Sequence, residues 1–114
     1  MTAPAEIAVE RRGGTVIARL GGEIDMTNAV HVRDELLRSV PNDVLALVLD
    51  LGGCRYLDSA AIEIVFELSR RLARRRQQLR LVLPQDSPLT RVLELTEVRS
   101  AAAIHETLES ALAG

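Results

Sequence analysis

The aliphatic run Val44 to Leu51, VLALVLDL, constrains the fold more than any other part of the chain. Five of its first six residues are Val or Leu. Such a continuous run is typical of a strand covered on both faces, as in a parallel sheet. Gly52 and Gly53 follow it, and we expect the strand to end near Leu51 because glycine pairs usually interrupt regular structure. The sequence therefore predicts a buried parallel strand near the middle of the chain.

A helix is predicted soon after this strand, over residues 59–76. Asp58 and Ser59 are preferred N-cap residues. Apolar residues that include Ile62 and Val65 then recur with helical spacing. On residue type alone, the first interpretation of Asp58 and Ser59 is a helix cap. The alternative is a phosphorylated serine, because free N–H groups and the helix dipole stabilise negative charge at a helix N-terminus. One serine can satisfy both interpretations.

Size and composition exclude several classes of function. The chain has 114 residues, which suits one compact domain, and we expect a single domain over 1–114. Aromatic residues make up 2% of it, too few for a base-stacking nucleic-acid platform. The net charge of −2 gives no electrostatic reason to expect nucleic acid or a membrane surface as a partner.

The basic residues are all arginine, so no lysine is present. This excludes a phosphate-binding Walker A loop and argues against a phospho-aspartate receiver domain, a family that uses a lysine near its acceptor aspartate. No histidine and carboxylate are spaced as metal ligands around His31, so we expect no metal site. The single cysteine, Cys54, cannot form an internal disulfide and suits a reducing compartment. With no signal peptide and no membrane-spanning run in the sequence, we expect a cytoplasmic protein without membrane insertion.

The rest of the chain alternates strands and helices. A hairpin is predicted from strands at Ile7–Glu10 and Thr15–Leu20, joined by Gly13 and Gly14, whose positive φ suits a tight turn. Further predicted elements are a helix from Ala29 to Val40, a strand at Leu79–Leu83, a short helix capped by Ser87, a strand at Ala101–His105 and a helix at Thr107–Ala113. In the first helix, Val30 is assigned to the apolar face.

This order, β-β-α-β-α-β-α-β-α, predicts an α/β fold. We expect a mixed, mostly parallel sheet of four to five strands, with an N-terminal hairpin and about four helices. Functional residues of such sheets gather at the carboxyl ends of strands. The polar segments 23–28 and 54–59 both follow strands there, so we expect them to lie together as loops.

The chain resembles the STAS domain family, and within it the small bacterial anti-sigma factor antagonists. The resemblance covers nearly the whole chain and rests on three blocks, GEID at 22–25, VLDL at 48–51 and YLDSAA at 56–61. It implies a STAS fold and a non-enzymatic switch protein without a cofactor. Such a protein binds a cognate anti-sigma factor and releases a sigma factor. The partner is usually also a serine kinase that phosphorylates the antagonist, and a serine phosphatase reverses this.

Transferred onto this sequence, the resemblance implies phosphorylation of Ser59. The residues that it implies for partner binding are Asp25, Met26, Thr27, Asn28, Tyr56, Asp58, Ser59, Ala60 and Ala61. The family typically has Asp-Ser-Ser-Gly or Asp-Ser-Thr-Gly at this point, whereas Ala60 and Ala61 follow Ser59 here. One hydroxyl of the usual pair is therefore missing, so phosphorylation is a separate question from binding.

Two alternatives belong to other functional classes. A STAS domain can also be a subunit of a membrane transport system that packs against a transporter ATPase. An enzyme is the weaker alternative, because Asp25, Asp58, Ser59 and His31 occur without a recognisable Ser-His-Asp order, nucleophile elbow or glycine-rich phosphate loop. We therefore expect no catalytic residues.

Overall fold

A computed structural model describes residues 4–114. They form one five-stranded sheet in the order β1-β2-β3-β4-β5, with β1 antiparallel to β2 and the other neighbours parallel. The strands are β1 (Glu6–Arg12), β2 (Thr15–Ile24), β3 (Ala46–Leu57), β4 (Gln78–Val82) and β5 (Ala103–His105). The helices are α1 (Ala29–Arg38), α2 (Ser59–Arg74), α3 (Thr90–Leu95) and α4 (Leu108–Ala113), with a 3₁₀ turn at Val98–Ser100. The predicted α/β architecture is confirmed.

Helices cover β3 on both faces of the sheet, as its aliphatic run predicts. Leu47 and Leu49 belong to the larger core, together with Leu36 of α1 and Leu68 of α2. On the opposite face, Val48 belongs to a smaller cluster with Ile17, Val82 and Ala111, the last of which lies in α4. Complete burial of one such leucine stabilises the fold by about 1.5–3 kcal/mol relative to exposure. The two cores fix β3 at the centre of the molecule.

The hairpin between β1 and β2 turns through Gly13 and Gly14, as predicted, but with a different backbone. Gly13 has φ +57°, whereas Gly14 has no positive φ. A glycine with positive φ at the first central position alone is typical of a type II′ turn, whose twist matches that of the flanking strands. The prediction that both glycines need positive φ was therefore wrong for Gly14.

The prediction that β3 ends near Leu51 was wrong. Strand β3 continues through Gly52 and Gly53 to Leu57, and β2 continues through its own glycine pair to Ile24. The two strands stay paired to the pair Ile24–Leu57, with register irregularities on either side of the glycines. Leu51 and Gly52 lie in the first irregularity and have no ladder partner in β2, but pairing resumes at Gly53, which lies opposite Gly21. Glycine in a strand often marks such a bulge, and the strand continues beyond it. Residues 54–57 are therefore strand and not loop.

Several predicted boundaries also shift by a few residues. Helix α1 ends at Arg38 instead of Val40, α2 ends at Arg74, and β5 begins at Ala103. Ser87 accepts a hydrogen bond from the N–H of Leu89 at 3.0 Å, although α3 begins only at Thr90. Ends of this kind are the least determined parts of helices.

Within residues 4–114, no helix is both long and apolar enough to span a membrane.

Candidate functional site

The carboxyl ends of β2 and β3 bring the two predicted site segments together. After the last ladder pair, Ile24–Leu57, the chain enters α1 through the segment Asp25–Asn28 and enters α2 through Asp58. The N–H of Asp58 donates to the carbonyl of Ile24 at 3.2 Å. The two segments are therefore neighbours, as expected from the position of both at the same edge of a parallel sheet.

Asp58 connects these two segments through both carboxylate oxygens. Its Oδ1 accepts a hydrogen bond from the N–H of Ala61 at 3.0 Å, which satisfies one of the free donors at the start of α2. Its Oδ2 accepts from the N–H of Met26 at 2.9 Å. The predicted helix cap at Asp58 is confirmed, and the same side chain also holds the segment before α1.

The segment before α1 has its own internal hydrogen bonds. Asp25 Oδ1 accepts from the hydroxyl of Thr27 at 2.5 Å and from its N–H at 2.9 Å. The Thr27 hydroxyl is the main reason that the pKa of Asp25 lies below its ordinary value. Asn28 occupies the N-cap position of α1, but its side chain does not cap the helix; it accepts from Asp25 N–H and donates to the carbonyl of Glu23. The side chain of Asn28 therefore fixes the segment before α1 instead of capping the helix.

Large apolar side chains are exposed around this segment. Met26 is 77% exposed and Tyr56, on the last part of β3, is 49% exposed. Val30, in the first turn of α1, is 55% exposed, so its assignment to the buried face was wrong. The buried residues of α1 are Ala29, Val32 and Leu36, whose spacing leaves position 30 on another face. The sequence contains this signal, since the spacing of Ala29, Val32 and Leu36 already identifies Val30 as a surface residue.

Ser59 is the first residue of α2, and its side chain lies at the surface. Within residues 4–114, neither its hydroxyl nor its backbone N–H has a hydrogen-bond partner. Ala60 beside it is partly exposed. Ala61 is only 2% exposed and packs in the core, so its predicted direct contact with a partner does not fit its position. We call the exposed set Met26, Val30, Tyr56, Ser59 and Ala60 the carboxyl-end surface.

His31 and Cys54 are two further side chains whose reactivity the sequence analysis considers. His31 contacts Glu35 on its own helix at 3.4 Å. Cys54 is buried, and burial raises the pKa of its thiol, which keeps it in the poorly nucleophilic protonated form. In the part of the chain that the structure describes, no group of three His, Cys, Asp or Glu residues is arranged to hold a metal ion.

Comparison with known proteins agrees with this geometry. The family model of the STAS domain matches residues 6–111. The chain belongs to the STAS domain family. Its relatives include the anti-sigma-F factor antagonist RsfB of Mycobacterium tuberculosis, 27% identical over 100% of this chain and 93% of that protein. The putative anti-sigma factor antagonist BtrV of Bordetella bronchiseptica is 30% identical over 95% of this chain and 92% of that protein.

Solved structures agree on the fold. The crystal structure of an anti-sigma factor antagonist from Mycobacterium paratuberculosis superposes with a TM-score of 0.85, at 25% identity, over 99% of this chain and 97% of that chain. A different kind of relative is a probable sulfate transporter 3.5 of Arabidopsis thaliana, 27% identical over 75% of this chain. That match covers only 14% of the transporter, so it concerns one domain of a much larger protein.

Proposed function

We propose that this protein is an anti-sigma factor antagonist, which binds an anti-sigma factor through the carboxyl-end surface and thereby releases a sigma factor. The observation that carries the proposal is that Met26, Tyr56 and Ser59 are all exposed at the same end of the sheet, where Asp58 connects their two segments. Relatives of nearly the same length that carry the name of antagonist support it. We expect such a regulator to act in the cytoplasm and to need no catalytic residue.

The surface has properties that favour binding to another protein. Aromatic residues and methionine are enriched at protein interfaces, where burial of their side chains stabilises the complex. The hydrogen bonds of Asp58 and Asp25 hold the surface in place before binding, so little conformational entropy is lost in the complex. The flanking carboxylates of Asp25, Asp58 and exposed Glu63 are complementary to a partner whose apolar contact area is bordered by Arg or Lys.

The antagonist function is tested by the release of a sigma factor. Each anti-sigma factor of the source genome is first combined with its sigma factor, and the purified complex is then mixed with this protein and separated by size. We expect one complex to give free sigma factor and a new complex of antagonist and anti-sigma factor. If the protein enters a complex with an anti-sigma factor without releasing any sigma factor, the proposed function is wrong.

We also propose that the partner is a serine kinase and that it phosphorylates Ser59. Ser59 is the only hydroxyl in the segment from Asp58 to Ala61, and it is exposed. A phosphoryl group adds about −1.5 to −2 charges at neutral pH. Both oxygens of the neighbouring Asp58 carboxylate already accept hydrogen bonds. The phosphoryl group would therefore lie next to the carboxylate of Asp58. Desolvation of the phosphoryl group and its repulsion from Asp58 would oppose rebinding of the partner until a serine phosphatase removes the phosphoryl group.

Intact-mass measurement after incubation with a candidate anti-sigma kinase and ATP tests this second proposal. Ser59→Ala is the variant that should lose the modification. Thr27→Val is the matched control, because Thr27 carries an exposed aliphatic hydroxyl on the neighbouring segment and donates it to Asp25. We expect one added phosphate on the native chain and on Thr27→Val, and none on Ser59→Ala. A phosphate that persists in Ser59→Ala assigns the acceptor elsewhere.

The alternative function is that of a STAS subunit of a membrane transport system, and the match to a sulfate transporter domain is the observation that favours it. The antagonist relatives support the first function better, since this chain spans more than nine-tenths of their length. Binding to a transporter ATPase, without binding to any anti-sigma factor, would select the alternative.

A further inference from the structure

The outer edge of β1 is open. Among residues 4–114, strand β1 is at the end of the sheet order and pairs only with β2, over its full length, Glu6–Arg12. Its other edge therefore presents the unpaired backbone N–H and C=O groups of alternate residues along this seven-residue strand. An open strand of this length can pair with a strand of another chain unless its side chains oppose that pairing.

The hairpin geometry determines which residues face outward. Because a two-residue turn joins β1 to β2, Arg12 and Thr15 next to the turn exchange both ladder hydrogen bonds. Hydrogen bonding alternates along an antiparallel pair, so Ala8 also directs its backbone groups to β2. The backbone groups of Ile7, Val9 and Arg11 point away from the sheet. They are the groups that a second strand would bind.

We infer that the outer edge of β1 binds β1 of a second copy of this chain, antiparallel, about a two-fold axis through Val9. In this register each outward-facing residue meets an outward-facing residue, because Val9 opposes Val9 and Ile7 opposes Arg11. Glu6 opposes Arg12 at both ends of the pair. Opposite charges placed directly across two antiparallel strands stabilise their pairing.

The two neighbouring registers of the same strands place like charges together. Backbone hydrogen bonding permits shifts only in steps that keep outward-facing residues opposite each other. The shift to one side opposes Glu6 to Glu10, and the shift to the other side opposes Glu10 to Glu10. Like charges directly opposite are destabilising, so the register centred on Val9 is the favoured one, and it pairs all seven residues of β1.

The side chains are available for this pairing. Glu6 is exposed, and within the described residues it takes part in no ion pair. Arg12 contacts Glu10 at 3.1 Å, but Glu10 also contacts Arg19 at 2.6 Å. Arg12 can thus turn to Glu6 of the second copy while Glu10 keeps a cation. The apolar side chain of Val9, 44% exposed, becomes covered by its symmetry mate.

The charged side chains of β1 therefore favour pairing with a second copy of β1 over pairing with an unrelated strand. Charged side chains on an edge strand discourage pairing with unrelated strands. The order Glu-Ile-Ala-Val-Glu-Arg-Arg is nevertheless complementary to itself in the antiparallel direction. A strand-to-strand interface of this size is small, so we expect dissociation constants of about 0.1–1 mM, typical of weak association.

Charge reversal tests the register in the full chain. Sedimentation velocity is measured over a range that reaches about 1 mM for the native chain, Glu6→Arg, Arg12→Glu and the double variant. We expect each single reversal to weaken the dimer roughly tenfold, since two ion pairs become two repulsions, and the double variant to restore it. A native chain that stays monomeric, or a dimer that the single reversals do not weaken, overturns the inference. Circular dichroism confirms that each variant is folded.

A cross-link tests the two-fold axis. Hydrogen-bonded antiparallel partners have Cα atoms about 5.5 Å apart, within the range that a disulfide spans. Val9→Cys should therefore form a covalent dimer under mild oxidation, while the native Cys54 stays buried. Leu45→Cys is the matched control, because Leu45 is more exposed, at 71%, and lies outside β1. Equal or faster dimer formation by Leu45→Cys contradicts the proposed interface.

Discussion

The backbone N–H of Met26 donates a hydrogen bond to Oδ2 of Asp58, and the two atoms are 2.9 Å apart. The other oxygen of this carboxylate accepts the N–H of Ala61 in the first turn of α2. One side chain therefore positions both the exposed methionine and the start of the helix that carries Ser59. A change at Ser59 is expected to reach the segment before α1 through Asp58.

Substitution of Asp58 separates these two roles. Asn remains a good N-cap but has one acceptor oxygen for two donors, and we expect that oxygen to stay on the N–H of Ala61. Asp58→Asn should then speed hydrogen exchange at Met26 while the first turn of α2 keeps its protection. Asp58→Ala should lose both and cost about 0.5–2 kcal/mol of stability. Unchanged exchange at Met26 in both variants would show that the hydrogen bond does not hold the segment.

Truncation of the exposed apolar side chains should weaken partner binding without destabilising the fold. We expect Met26→Ala and Tyr56→Ala each to reduce affinity for the anti-sigma factor about tenfold, as is usual for residues that carry binding energy. Isothermal titration calorimetry measures the affinity, and urea unfolding measures stability. Leu45→Ala is the control, because Leu45 is nearly as exposed as Met26 and more exposed than Tyr56, but it precedes β3, at the opposite end from Tyr56. An equal loss of affinity in Leu45→Ala would remove this surface from the account.

The two glycines of β2 should differ in their tolerance of a methyl group. Gly22 has φ +80°, so Gly22→Ala forces a side chain into the left-handed region at a cost of about 1–2 kcal/mol. Gly21 has no positive φ, and a Cβ there meets its nearest atoms at 3.7 Å, an ordinary contact. Gly21→Ala should therefore leave the urea midpoint nearly unchanged. If Gly21→Ala is the more destabilising variant, backbone conformation is not what requires glycine at position 22.

The carboxyl of Asp25 should titrate below its ordinary pKa, because the hydroxyl and N–H of Thr27 donate to it. A carboxyl whose pKa is lower when folded contributes stability that is fully present above its unfolded pKa. That stability is lost as the pH falls through the folded pKa. Thr27→Val removes the hydroxyl and keeps the N–H, so the pKa should return towards its ordinary value. Carbon-13 NMR of the Asp25 side chain follows this titration, and an identical pKa in the variant would contradict the assigned cause.

The sequence predicted the features that depend on local chemistry. The aliphatic run predicted the buried strand β3, because burial on both faces requires apolar residues. Asp58 predicted the start of α2, because only a few residue types cap a helix. The path of β3 beyond Leu51 was mispredicted, because the strand continues past Gly52 by pairing with β2 again from Gly53. That pairing with β2 is a tertiary contact that one stretch of sequence does not contain. The exposure of Val30, in contrast, could be predicted from the sequence, because the spacing of Ala29, Val32 and Leu36 places position 30 on another face of α1.

Titration of an anti-sigma factor with three forms of the chain, the native protein, Ser59→Glu and Ser59→Gln, tests the central claim most directly. Gln matches Glu in size but carries no charge, so the pair separates charge from bulk. We expect one of the anti-sigma factors of the source genome to bind the native chain, and Ser59→Glu to bind roughly tenfold more weakly than Ser59→Gln, because the added charge is desolvated next to Asp58. Equal affinity for all three forms would mean that Ser59 lies outside the interface and would contradict the account.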